Sequence, residues 1–324
     1  MNGLLARLTP VLHLTRVTTA FAAVGNVWFV ILWSRACEPS PHAQAMADRP
    51  LWLLLGGGTL FALGMFSFAM ALNDILDVRR DRALHPDRPL PSGKLSLDTA
   101  ARLVALTLIV SVLGAATLGL PAVVLALGTA GAIVLFNLAA KYIPSAGLVS
   151  LGLIYGAHMM TPNVHLVFVW PVWLAMTHAL LVGAVTHRLA GRRPALTLPM
   201  LAAAGAGWAF WSAVLLYVGR VRAGAWWPDW VPLRAAIWPG LLVLAFIAFA
   251  GWRIRRTGIT PRAGEKLQRY GAFWLTLYAA AWMIGVGRYN EAGVLGGLAL
   301  AGYLGMTLLR ELYNLVEHPV AYRR

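Results

Sequence analysis

Acidic residues are scarce in this chain. Of its 324 residues only 12 are Asp or Glu, against 27 Lys and Arg, and no acid stands between Asp98 and Asp229. Charge of either sign is thin: 12% of residues are charged and 59% are hydrophobic. Soluble domains carry roughly 25% charged residues, so the composition excludes an ordinary soluble domain and implies a polytopic membrane protein. There is one cysteine, Cys37. It cannot form an internal disulfide, and no cysteine spacing of the metal-binding kind exists. The net charge of +15 would suit nucleic acid if the cations were gathered on one soluble face. They lie instead in short stretches between apolar segments, which argues against nucleic acid as a partner.

Apolar sequence is what the chain has in abundance. Ten segments read as helices: 14–34, 51–76, 99–119, 121–140, 146–162, 164–187, 195–219, 235–252, 269–287 and 292–312. A bilayer span needs ~20 apolar residues, so the pattern predicts one all-α domain over 1–324, a transmembrane bundle of about nine to ten spans. Arg7 precedes an apolar run, as in a signal peptide. That run lacks a small-residue cleavage site and is long enough to span, so it is read as a retained first helix. Ten spans put the N-terminus and the loops after the second, fourth, sixth and eighth helices on one side. Six basic residues (Arg35, Arg49, Arg220, Arg222, Arg234 and Arg288) fall on the other side, and the remaining 21 of the 27 fall on this one. The positive-inside rule makes the richer side cytoplasmic. The expectation is a multi-pass protein of an inner or plasma membrane. Trp226, Trp227 and Trp230 suit an interfacial belt on the outer surface, and Gly293, Gly296, Gly297 and Gly302 suit close helix packing. No internal repeat of the transporter kind is visible.

Four of the few acids, Asp74, Asp77, Asp81 and Asp87, fall within "NDILDVRRDRALHPDRPLPSG" (73–93). On one helix Asp74, Asp77 and Asp81 point within about 60° of one another. A solvated helix end is one reading. Against it, Asp77 and Asp81 form a like-charge i,i+4 pair, which destabilises a helix by a few tenths of a kcal/mol. The stretch also opens at a helix C-terminus, where the dipole disfavours anions. A bound divalent cation reverses both penalties. Mg2+ takes one or two protein carboxylates and completes its shell with water and phosphate oxygens, so a metal–phosphate site is the favoured reading.

"NDILDVRRD" followed by "HPDRPLPSG" resembles the first aspartate motif of the UbiA-type intramembrane prenyltransferases, N-D-x-x-D-x-x-x-D leading into P-x-R-P-[IL]-P-S-G. "LFNLAAK" (135–141) is similar to the segment that ends the family's fourth helix, and Arg16 stands where the family has a basic residue entering its first. The resemblance implies a UbiA-like helix bundle and Mg2+-dependent transfer of a prenyl group from an isoprenoid diphosphate to an aromatic or lipid acceptor within the membrane. It implies that Asp74, Asp77 and Asp81 are the catalytic carboxylates and hold the metal. Asn73 would orient a carboxylate or water, and Arg88 and Lys141 would contact phosphate. Asn137, one turn before Lys141, and Arg16 complete the implied substrate site.

The family's second aspartate motif, which holds a second metal in the loop after the sixth helix, is missing. That loop reads "VTHRLAGRRPAL" (185–196) and carries His187, Arg188, Arg192 and Arg193. These are either topological positive-inside charges or groups that neutralise the diphosphate in place of a second metal, Arg192 and Arg193 following a hinge at Gly191. Arginine suits the latter role, being permanently charged and able to bind phosphate bidentately. A non-catalytic member that binds an isoprenoid or lipid diphosphate as carrier or regulator is the alternative. A transporter is disfavoured because the acids cluster at one membrane face. A phosphatidyltransferase of the CDP-alcohol type would need glycine where Val78 stands. Asn26, His158 and His178, inside spans, are read as packing hydrogen bonds, with His158 placed where the family has a basic residue and an Asn. Glu311 and Glu317 are read as solvated or paired with Arg310.

Overall fold

The computed structural model describes residues 10–16 and 20–317, the last nine as backbone. The readings of Arg7, Arg310, Glu311 and Glu317 therefore lie outside the described side chains. The elements are α1 over 10–15, α2 (Phe21–Ala36), α3 (Pro41–Ala47), α4 (Leu51–Leu76), α5 (Val78–Leu84), α6 (Leu97–Ala116) and α7 (Leu120–Leu138). They continue with α8 (Pro144–Met160), α9 (Trp170–Leu189), α10 (Leu198–Ala223), α11 (Ile237–Thr257), α12 (Pro261–Gly285) and α13 (Tyr289–Glu317). No strand occurs among the described residues. The ten long helices overlie the ten apolar segments, and local chemistry sets their ends. Proline opens α7, α8, α9, α10 and α12, where its missing N–H costs nothing. The Ser96 and Thr260 hydroxyls accept from the first turns of α6 and α12.

Among the described residues six helices are long and apolar enough to cross a membrane: α4, α6, α7, α10, α11 and α13, with short flanks in two cases. The apolar α2 is short at 16 residues. The less apolar long helices are α8, α9 and α12. All three contribute lining to a shared cavity, described below. An interior helix needs no lipid-compatible surface all round.

The main core lies where α2, α9 and α12 meet the 161–169 segment. Trp33 stacks on Phe168 with ring centroids 5.0 Å apart, and Trp282 and Trp227 meet Phe168 edge-on at 5.3 and 5.0 Å. This corrects the reading of the 220–234 loop. Only Trp226 of its three tryptophans is exposed, while Trp227 and Trp230 fold inward onto the core. The glycine expectation also changes. A Cβ on Gly293, Gly296 or Gly297 would meet nothing within 4 Å, and only Gly302 touches a neighbour, Phe21. The close approach is elsewhere, between α4 and α6, at Gly57, Gly64 and Gly114. There the Ser111 hydroxyl donates to the Phe61 carbonyl at 3.0 Å between buried groups.

At the end of the bundle carrying the six minority cations, several of them close off backbone. Arg35 donates to the carbonyls of Met46 and Arg49, Arg222 to Leu166, Arg49 to Thr117 and Arg288 to Ala36. Glu38 is buried in the same region and accepts from Ser40 Oγ and Val167 N. Burial raises its carboxyl above the ordinary value, despite these bonds and the nearby Arg222.

Candidate active site at the cavity mouth

The motif is not one smooth helix. The chain steps at Asp77 (φ −89°, ψ 1°), between α4 and α5. The i→i−4 ladder nonetheless carries across the step, with Asp77 N donating to Asn73 O at 2.9 Å and Asp81 N to Asp77 O at 2.8 Å. Asn73, Asp77 and Asp81, four residues apart, therefore share one side. The proline-rich tail folds back: Leu90 buries against Leu14, Ala71 and Ala100, and Gly93 closes the turn at φ +74°. That return places Arg88 Nη1 2.5 Å from Asp81 Oδ2 and 4.0 Å from Asp74 Oδ1. Asp87 is exposed.

A second cation arrives from the turn after α7. Lys141 Nζ lies 2.9 Å from Asp77 Oδ1, 3.2 Å from Asn73 Oδ1 and 3.5 Å from Asn137 Oδ1. Asn137 is itself fixed, donating to Ile133 O at 2.9 Å. It holds Lys141 and does not line the cavity. A third cation, Arg16, reaches Asp74 Oδ1 at 3.2 Å. Each motif carboxylate is thus engaged through one oxygen by a cation, Asp81 by Arg88 of the motif's own tail and Asp74 and Asp77 by Arg16 and Lys141 from elsewhere in the chain.

Asn73, Asp77, Asp81, Arg88, Lys141 and Arg16 line one end of a cavity of about 410 Å³. Asp74, 6% exposed, sits behind that wall. Beyond the charged end the lining turns apolar, with Met70, Phe136, Leu148, Leu151, Val182 and Leu275. Along α8 the lining runs from Pro144 to Tyr155, about 16 Å at 1.5 Å per residue. His178 closes the deep part. Its Nε2 is 2.9 Å from Gly271 O, and its Nδ1 is 3.2 Å from the Tyr278 hydroxyl. A carbonyl only accepts, so Nε2 carries the proton and Nδ1 accepts from tyrosine. The packing-bond reading of His178 holds. That of His158 does not: its buried Nε2 lacks a hydrogen-bond partner among the described residues, and its ring stacks on Phe61 at 4.9 Å.

The sequence profile of the UbiA prenyltransferase family matches residues 27–263. This chain belongs to that family. A solved structure described for digeranylgeranylglyceryl phosphate synthase in membranes is 18% identical, aligned over 86% of this chain and 98% of that one, with a TM-score of 0.51. The likeness is one of fold. A UbiA homolog from Archaeoglobus fulgidus bound to GPP and Mg2+ is 14% identical over 92% of this chain and 99% of that one, with a TM-score of 0.45. No curated protein matches the chain in sequence.

Mg2+ is the metal that UbiA membership implies. Among the described residues no three His, Cys, Asp or Glu side chains come together as a ligand group, so Asp74, Asp77 and Asp81 do not converge. Mg2+ needs only one or two carboxylates when phosphate oxygens and water fill the rest of its shell. Asp77 and Asp81, hard oxygen donors both on the cavity wall, meet that requirement. The donor set fits the ion.

In this UbiA protein the loop after α9 is a held turn, which corrects the hinge reading. Gly191 has φ +58°, its N–H meets Arg188 O at 3.2 Å, and Arg192 N–H meets His187 O at 3.2 Å. These are the paired bonds of a glycine helix cap. His187 Nε2, 2.9 Å from Pro194 O, ties the far end of the turn. Arg192 and Arg193 line the cavity, while Arg188 is exposed outside it. Partial loss of water at the cavity lip, then the like charge of Arg80, lowers the Arg192 pKa from its ordinary value, with Glu265 opposing. Sequence reasoning missed Arg80 and Gln268 as lining residues. Arg80 had a readable signal, its position three residues after Asp77 on a helical pattern. Gln268 had none.

Proposed function

We propose that this protein transfers a prenyl group from an isoprenoid diphosphate to a hydrophobic acceptor, aromatic or lipid, within the membrane. The observation that carries the reading is a single cavity with cations and carboxylates at one end and an apolar wall beyond. The diphosphate lies at the charged end and the prenyl chain along Met70, Phe136, Leu148 and Leu151. Asp77 and Asp81 hold Mg2+, with Asp74 behind them steadying Arg16 and Arg88. The metal supplies Lewis-acid neutralisation of the diphosphate oxygens. Arg88 and Lys141, paired with carboxylates in the ligand-free site, contact phosphate oxygens when the diphosphate enters. They then oppose the charge that grows on the leaving oxygen as the allylic C–O bond breaks. The apolar wall keeps water from the carbocation. The acceptor's electron pair forms the new bond to carbon, and its proton leaves with diphosphate as the second product.

The test is purified protein with radiolabelled prenyl diphosphates, Mg2+ and a membrane lipid extract. Diphosphate release with a new prenylated product is the expected result. Binding without release would favour the non-catalytic carrier, for which the missing second motif speaks. No binding at all would remove the reading.

The basic-residue bias supports a cytoplasmic cavity mouth. Ser92 is exposed beside the mouth, and Cys37 lies beyond the opposite end of α2. A Ser92→Cys variant in a Cys37→Ala background should react with an impermeant thiol reagent only after the membrane is opened. Labelling of intact cells would reverse the orientation.

A further inference from the structure

We propose that Arg192 and Arg193 bind the diphosphate directly and supply the charge compensation a second metal would give, so that the site works with metal at one motif only. This rests on the prenyl-transfer reading above and specifies how its site is completed.

The charge inventory of the cavity is the first support. Arg16, Arg80, Arg88, Lys141, Arg192 and Arg193 line it, against two carboxylates, Asp77 and Asp81. The ion pairs at the motif engage Arg16, Arg88 and Lys141 and, among the described residues, neither Arg192 nor Arg193. Two exposed guanidinium groups thus line a shared space, Arg192 near Arg80, and among the described residues neither forms an ion pair with a carboxylate. Cations without an ion-pair partner can meet a polyanion without first giving up a carboxylate. A prenyl diphosphate carries about three negative charges near neutral pH, phosphate groups having a second pKa near 6. One divalent ion cancels two of them.

The geometry is the second support. The glycine cap at Gly191 and the His187–Pro194 bond hold the backbone that carries both arginines. With the turn held in advance, only the two side chains have to order around the diphosphate as charge develops. Arg188 provides the contrast. It carries the same charge in the last turn of α9, and all three arginines are exposed, yet Arg188 does not line the cavity. The missing acids are the third support. No carboxylate occurs between Asp98 and Asp229, and Glu265, which interacts with Arg192, does not line the cavity. A second metal has no carboxylates to hold it there.

Full-length wild type, Arg192→Gln, Arg193→Gln and Arg188→Gln are compared in detergent, with elution profile and thermal unfolding as fold controls. Calorimetry with geranyl diphosphate and Mg2+ reads affinity and the number of Mg2+ bound per diphosphate. Arg192→Gln and Arg193→Gln should each weaken affinity about tenfold or more, the loss of a charge-assisted hydrogen bond. Turnover should fall on the order of 10²–10³-fold, as when an oxyanion donor is removed. Arg188→Gln should match wild type, and wild type should bind one Mg2+ per diphosphate. If wild type binds but the two cavity variants behave like Arg188→Gln, or if two Mg2+ are taken up, this inference falls and the prenyl-transfer reading stands. If wild type binds no prenyl diphosphate, both fall.

Discussion

Asp77→Asn is expected to abolish Mg2+-dependent prenyl diphosphate binding while leaving the protein folded. The substitution is isosteric, so the helix step at Asp77 keeps its backbone bonds to Asn73 and Asp81. Lys141 loses its ion pair at 2.9 Å but keeps Asn73 Oδ1 at 3.2 Å and Asn137 Oδ1 at 3.5 Å. No buried cation is stranded, because Lys141 also faces the open cavity. What is lost is one of the two carboxylates on the wall, and with it the negative charge that draws a divalent ion. Any residual turnover should drop on the order of 10²–10³-fold, comparable to removing one preorganised electrostatic group. Calorimetry with and without Mg2+ measures the first effect, and diphosphate release the second. Normal Mg2+-dependent affinity in this variant would show that the metal is held elsewhere.

Gly114→Ala should be among the most damaging small substitutions in the chain. A Cβ there would fall 2.3 Å from Phe61 N and 2.6 Å from Gly57 O. These are backbone atoms of α4, so no rotamer change relieves the clash. α4 and α6 must separate, which also stretches the Ser111–Phe61 hydrogen bond. Overpacking of this kind costs about 1–3 kcal/mol. The comparison is Gly128→Ala on α7, where an added Cβ meets nothing within 4 Å. There the same change should be neutral or stabilising by up to roughly 1 kcal/mol, from helix propensity. Thermal unfolding in detergent separates the two. Equal melting temperatures would mean that α4 and α6 do not pack through their glycines. Because α4 carries the motif, Gly114→Ala should also loosen the site at its lower end.

Glycine positions divide the legible from the illegible. Gly293, Gly296 and Gly297 face open space, while Gly57 (within the run 56–58), Gly64 and Gly114 mediate a far closer contact. Sequence spacing puts residues on a helix face but does not say how that face is rotated toward a neighbour. The tryptophans repeat the lesson. A Trp-rich loop suits a membrane interface by composition, and the long-range packing of Phe168 draws two of its three tryptophans inward.

The helices and the motif were set by the sequence alone, because both depend on neighbours close in the chain. Apolar runs of membrane-spanning length become helices wherever they fold, and four-residue spacing alone brings Asn73, Asp77 and Asp81 to one side. Which cation meets which carboxylate was decided only by the tertiary structure. Arg16 meets Asp74 across 58 positions and Lys141 meets Asp77 across 64. Arg192 and Arg193 come to the cavity while Arg188 is turned away. Ion pairs act over a few ångströms, so a partner distant in sequence is chosen by how the helices rotate and cross, and no local pattern encodes that.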